Sequence, residues 1–158
     1  MLSEFWTPTT IAVILTIRIK DLHTEVLVIA HYSPTTQQRT TDDELTFFLN
    51  NARKKHPRHD IVVAGDLNRD LNSAIKLSNK FNLSLCQQEK VIPTYINTRR
   101  DAKQEHTQTD YILSSTQSQN TSSSKELTHK TSDHLPLATN LTLNPLPIAN
   151  STNKQRLV

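Results

Sequence analysis

The chain has 158 residues, which fits one domain, and it is lean in apolar residues at 35%, against about 45–50% (glycine counted) in an average globular domain. One glycine forces turns to be built from Asn, Asp, Ser and Pro, and one cysteine, Cys86, excludes an internal disulfide and points to a reducing, intracellular (nuclear or cytoplasmic) setting. The net charge of +3 permits a polyanionic partner without requiring one, and no apolar run approaches the about 20 residues that cross a bilayer, so no membrane role is expected.

Ile11 to Ile19 is β-branched and almost continuously apolar, and reads as a buried strand. Asp21–Thr24 supplies a polar turn, and Val26–Ala30 a second strand, antiparallel to the first because the connection is short. Pro34 pushes Ser33 to extended geometry and ends that strand. Thr41 and Glu44 have capping-box spacing for a helix whose stripe is Leu45, Phe48, Leu49 and Ala52; Arg53, Lys54 and Lys55 suit its C-terminal dipole, and Pro57 stops it. Ile61–Ala64 is a third strand, and the spacing of Leu71, Ala74, Ile75 and Ser78 predicts a second helix over 70–81. Short strands are expected at 83–86, 110–113 and 125–129, and a longer one at 135–143. Residues 87–108 read as irregular, 115–124 (STQSQNTSSS) as a solvated low-complexity loop, and 144–158 as a fraying tail after a domain over 1–143. The order implies an α/β layered architecture.

Four segments carry chemistry, each at a predicted strand end, where loops converge on a fixed backbone. They are His31-Tyr32-Ser33-Pro34, Gly65-Asp66-Leu67-Asn68, Asp110-Tyr111-Ile112-Leu113 and Ser132-Asp133-His134-Leu135-Pro136. Asp66 can orient and deprotonate a water, and Asn68 offers an amide on the same turn. Gly65, the chain's only glycine, lets the backbone turn sharply and stay close to a substrate. His134 can donate to a phosphate oxygen, more strongly when protonated. Taken singly each has a plainer reading: a turn aspartate, a satisfied histidine, a tyrosine closing a strand. His23, His56, His59, His106 and His129 match no ligand spacing and read as surface residues.

Together and in this order, the four segments resemble the Gly-Asp-Phe/Leu-Asn, Ser-Asp-His, Asp-Tyr-hydrophobic and Tyr-x-Pro motifs of the endonuclease/exonuclease/phosphatase superfamily, over about residues 11–143. The short segment between Tyr32 and Asp66 is most like that of non-LTR retrotransposon endonuclease domains. The resemblance implies an α/β fold with two facing sheets and flanking helices, the deoxyribonuclease-I-like layered β-sandwich. It implies a metal-dependent phosphodiester hydrolase acting on DNA, with Mg2+ or Mn2+. It makes Asp110 the partner of His134, Asp133 a residue near the metal and Tyr32 a phosphate contact. Thr94 matches a position near nucleic acid, and Arg99, Arg100 and Lys103 in the same region could meet phosphates.

The chain departs from the family in two respects. Nothing before Ile11 matches the early Asn and the metal-ligating Glu, so the N-terminal half is expected to be missing, metal binding weakened, and apolar sheet surface left open. Thr109 also stands before Asp110 where an apolar residue is common. Partners expected on this reading are DNA, the missing half, or a reverse transcriptase region. The alternatives are a phosphomonoesterase of the same fold and a non-catalytic remnant or interaction module.

Overall fold

A computed structural model describes residues 6–7, 9–19, 22–86, 91–96, 106–123 and 132–144. Its elements are β1 (Trp6–Thr7), β2 (Thr10–Ile19), β3 (Leu22–His31), α1 (Gln38–Lys55), β4 (Asp60–Asp66), α2 (Leu71–Lys80), β5 (Ser84–Leu85), β6 (Tyr95–Ile96), β7 (His106–Thr107), β8 (Asp110–Ser114), β9 (Ser118–Ser123) and β10 (Leu137–Leu141). Among the described residues, six strands form one mixed sheet in the order β1-β2-β3-β4-β8-β5. β2 and β3 make a long antiparallel hairpin in register from Thr10↔His31 to Ile19↔Leu22. β3 and β4 run parallel, which requires a crossover, and α1 is that crossover. β4 and β8 are antiparallel.

Strand alternation divides the central sheet into two faces. Leu27, Ile29, Ile61, Val63, Tyr111 and Leu113 point one way and pack on Leu45 and Leu49 of α1 and on Ala74, Leu77 and Phe81 around α2. On the other face Val26, Val62 and Ser114 are buried at one end, Val28, Ala64 and Ile112 are half-buried, and Ala30 is exposed. The second sheet, β9–β10, contributes to that side: the Cys86 thiol, raised in pKa by burial, hydrogen-bonds with Ser118 and Thr139. The architecture is an α/β partial sandwich with flanking helices, in line with the class read from the motifs. No helix among the described residues is long and apolar enough to cross a membrane.

Several local expectations are corrected. The first helix begins a turn before Thr41: its N-cap is Gln37, with no side-chain cap. Thr41 is buried inside the helix, its hydroxyl bonded to the Gln37 and Gln38 carbonyls and to Ser33 Oγ, while Glu44 accepts from Thr7 and Thr9. A capping box needs Thr41 at the helix entry, so the Ser33–Thr41 contact, not a cap, fixes this end. Residues expected as the polar turn 21–24 instead open β3 at Leu22. The serine-rich loop contains β9, because β10 satisfies its backbone and polar side chains suit a strand that need not be buried. The stretch 87–108 holds the two-residue pair β6–β7. The strand expected at 125–129 and the tail from 145 lie outside the described residues. Asn144 is held: its backbone N–H and amide both donate to Asp60, at 2.8 and 3.1 Å. His59, read as a surface residue, is largely buried and paired with Glu25 at 2.7 Å.

Candidate functional site

Register assembles the site. Ala30 pairs with Ala64 across β3 and β4; two residues further on stand Tyr32 and Asp66, and the Ser33 N–H donates to the Asp66 carbonyl at 2.9 Å. Asp66, the last residue of β4, is the direct partner of Asp110, the first of β8. The pleat therefore directs Tyr32, Asp66 and Asp110 to the face away from the helices. The Tyr32 side chain there is half exposed.

Immediately before Asp66, Gly65 has φ +152°, and a Cβ at this position would lie 1.9 Å from the His31 carbonyl oxygen. The sequence reading gave the glycine closeness to a substrate; the close approach in the structure is instead to the neighbouring strand. Past Asp66 the chain folds back on itself. Asn68 takes φ 48°, tolerable for asparagine, and both carboxylate oxygens of Asp66 accept from it: Oδ1 from the backbone N–H and Oδ2 from the amide, each at 3.0 Å. The Asn68 amide also donates to the Ser33 carbonyl at 3.2 Å, and Gln38 of α1 donates to the Asn68 carbonyl at 2.8 Å. Asp66 is raised in pKa by burial and secondarily by the Asp110 charge; the Asn68 bonds and His134 oppose the rise.

His134 arrives from the loop before β10. Ser132 Oγ accepts its backbone N–H at 3.0 Å, and its Nδ1 lies 2.9 Å from Asp110 Oδ2. A carboxylate only accepts, so Nδ1 carries the proton and Nε2 is left for other partners. Burial works to lower the His134 pKa, but the hydrogen bond and charge of Asp110, with Asp66 and Asp133 adding, raise it overall. The Tyr95 ring stands edge-on to the imidazole at 5.2 Å between centroids.

The remaining expected site residues fall differently. Asp133 is exposed. Thr94, expected to bind substrate, is fully buried, and its hydroxyl accepts the N–H groups of Thr109 and Asp110. Arg99, Arg100 and Lys103 lie outside the described residues. Among the described residues no group of three or more His, Cys, Asp and Glu is arranged to hold a metal ion. Asp66 and Asp110 are two carboxylates without a third candidate ligand grouped beside them among the described residues, so they do not by themselves make a site for a divalent cation.

Three neighbours of the site were not singled out from sequence. Arg69, next to Asn68, is ion-paired with Asp42 of α1, and its carbonyl accepts the buried Tyr111 hydroxyl. His31 is buried, hydrogen-bonded through Nδ1 to Thr10 at 2.8 Å; burial lowers its pKa to about 4. Alternation with Leu27 and Ile29 was a usable signal that His31 faces the core. Tyr95 lacked any signal beyond its place after Thr94. A cleft of about 440 Å³, bordered by Leu71, Val91 and Thr107, opens beside Asn68 and Thr109.

No family model matches the chain, and no curated protein does so. Solved structures are similar in fold. An endonuclease/exonuclease/phosphatase family protein from Leptotrichia buccalis has TM-score 0.61 and 13% identity, covering 89% of this chain and 59% of that one. A mannosyl-6-phosphatase from Bacteroides thetaiotaomicron has TM-score 0.62 and 14% identity, covering 84% and 57%. D. rerio TDP2 complexed with single-strand DNA product has TM-score 0.57 and 15% identity, covering 85% and 62%. The likeness is one of fold, and the chain spans about three-fifths of the length of these structures.

Proposed function

We propose that the chain carries the water-activating and phosphate-binding side of a phosphoester hydrolase site directed at DNA, of retroelement nuclease type. The observation that supports this most is the Asp66↔Asp110 register at the strand ends, with His134 hydrogen-bonded to Asp110 beside it. The order of the four motifs and the TDP2 structure with a DNA product add to it.

In this reading Asp66 is the general base. Its raised pKa brings it nearer the working pH, and Asn68 holds both of its oxygens so that the remaining lone pairs face an incoming water. Asp110 orients the imidazole and stabilises its protonated form. Nε2–H then donates to a phosphoryl oxygen as negative charge grows there. The Tyr32 hydroxyl is a second donor to the phosphate. No step is assigned to a metal ion. A divalent cation would have to draw ligands from elsewhere in a longer protein or from the substrate.

The test is cleavage of supercoiled, nicked and abasic DNA with and without Mg2+ or Mn2+. Cleavage lost in Asp66→Ala and His134→Ala supports the reading, and wild-type cleavage no greater than that of Asp66→Ala refutes it. The fold shared with a mannosyl-6-phosphatase favours a second reading, a phosphomonoesterase; release of inorganic phosphate from sugar phosphates without DNA cleavage would select it. A third reading is a non-catalytic remnant. Neither activity, together with no Mg2+ binding by calorimetry, would select that one.

A further inference from the structure

The outer edge of β8 changes partner along its length. β5 pairs with it only at Leu113 and Ser114, followed by one bond from the Cys86 N–H to the Ile112 carbonyl. At Asp110 no strand of the main sheet lies beyond among the described residues. The part-buried N–H groups of Thr109 and Asp110 would lack an acceptor there, a costly arrangement. The Thr94 hydroxyl takes both, at 3.1 Å each, using both lone pairs of one oxygen. The same residue is tied at both backbone groups: its N–H donates to the Thr107 carbonyl at 2.9 Å, and its carbonyl accepts the Leu135 N–H at 2.6 Å. Leu135 follows His134. Tyr95, next in chain, forms a β-bridge to His134 and sets its ring against the imidazole.

One buried threonine thus touches the backbone of Asp110 on one side and of the His134 loop on the other. We propose that Thr94 is a positioning residue that fixes the Asp110–His134 distance, with Tyr95 restraining the imidazole. The two halves of the pair lie 24 residues apart in sequence and share no other direct link through main-chain hydrogen bonds among the described residues. Thr109 Oγ1 also donates to Asp110 Oδ2 at 3.1 Å, so the backbone that Thr94 holds carries a second restraint on the carboxylate. The catalytic meaning rests on the hydrolase reading above; the geometric claim does not, and it is tested without turnover.

The measurement is NMR of the full chain with labelled histidine: the titration of His134, assigned with His134→Gln, and the downfield Nδ1 proton of the His134–Asp110 bond. Wild type is expected to show the proton and a pKa above the ordinary 6.5. Thr94→Val, which leaves two N–H groups without an acceptor, is expected to lose the proton and to lower the pKa. Thr94→Cys, a smaller disturbance with a weaker acceptor, covers the case in which the valine variant does not fold and is expected to shift in the same direction. Thr94→Ser keeps the hydroxyl and is expected to retain both signals. Thr116→Val, at a buried threonine near the far end of β8, controls for general loss of packing and is expected to leave both signals in place. Wild-type signals in a folded Thr94→Val or Thr94→Cys would overturn the proposal, as would their loss in Thr94→Ser. Failure of the hydrolase reading would appear instead as absent DNA cleavage with these signals intact.

Discussion

Gly65→Ala concentrates the geometry of the site into one methyl group. The added Cβ would lie 1.9 Å from the His31 carbonyl oxygen, 2.9 Å from its carbon and 3.2 Å from its nitrogen, all backbone atoms that no rotamer change can move aside. Real Cβ contacts essentially never fall under 3.0 Å, so β3 and β4 must part by about 1 Å at this point or the backbone must leave φ +152°. Holding alanine at that φ costs on the order of 1–3 kcal/mol. Parting the strands also stretches the bond from the Ser33 N–H to the Asp66 carbonyl, worth about 1 kcal/mol. The sum, about 2–4 kcal/mol, is a large share of a typical stability of about 5–15 kcal/mol. Urea denaturation followed by far-UV circular dichroism measures the loss. Ala30→Ser, at an exposed position on the neighbouring strand, should stay within about 0.5 kcal/mol. A Gly65→Ala protein within 1 kcal/mol of wild type would refute the claim that the close strand approach requires glycine. On the proposed hydrolase reading, because Tyr32 and Asp66 flank this contact, a folded variant should also lose cleavage beyond what its folded fraction explains.

Two further predictions concern pH. Asp110→Asn keeps an acceptor oxygen but removes the charge that helps raise His134; the pair is partly exposed, so the expected cost is about 1 kcal/mol. Since the folded pKa is the higher one, this contribution is full below the unfolded value of 6.5 and fades as pH rises through the folded value. The stability difference between wild type and variant should therefore be larger at pH 6 than at pH 9, and equal differences would contradict it. His31 works with the opposite sign: its folded pKa, about 4, lies below 6.5, so stability present above pH 6.5 is lost as pH falls towards 4. The shift corresponds to roughly 3 kcal/mol, and His31→Gln should flatten the decline between pH 7 and pH 4 in urea titrations.

The elements most legible from sequence are those whose signal is local. The hairpin β2–β3 follows from two β-branched runs, α1 from the Leu45, Phe48, Leu49 stripe, and α2 from Leu71 to Ser78; the structure adds Asp70 as the cap of α2, accepting the Ser73 N–H at 2.9 Å. What was illegible depends on partners distant in sequence. Thr41 and Glu44 have the spacing of a cap, yet each is spent on another element, Ser33 and the Thr7–Thr9 turn, and no local pattern announces that. The 115–124 stretch looks structureless because Ser, Thr, Asn and Gln carry no hydrophobic alternation; β9 forms because β10 meets it. The parity of His31 with Leu27 and Ile29 places it on the core face, a signal that is local.

The site divides along the same line. The sequence reading could place Asp66, Asn68, Asp110 and His134 at strand ends, because a strand end is a local feature. Sequence alone could not say that two carboxylates facing each other in register have separate environments. Asp66 is held by an amide and has its proton affinity raised by burial; Asp110 is committed to an imidazole. Two like charges this close would otherwise compete for one proton. A protonated His134, hydrogen-bonded to Asp110, offsets part of the charge that Asp66 feels. The difference between the two roles is therefore set by whatever holds His134 against Asp110. In this chain that is a buried threonine whose hydroxyl, read from sequence as a ligand contact, serves the backbone instead.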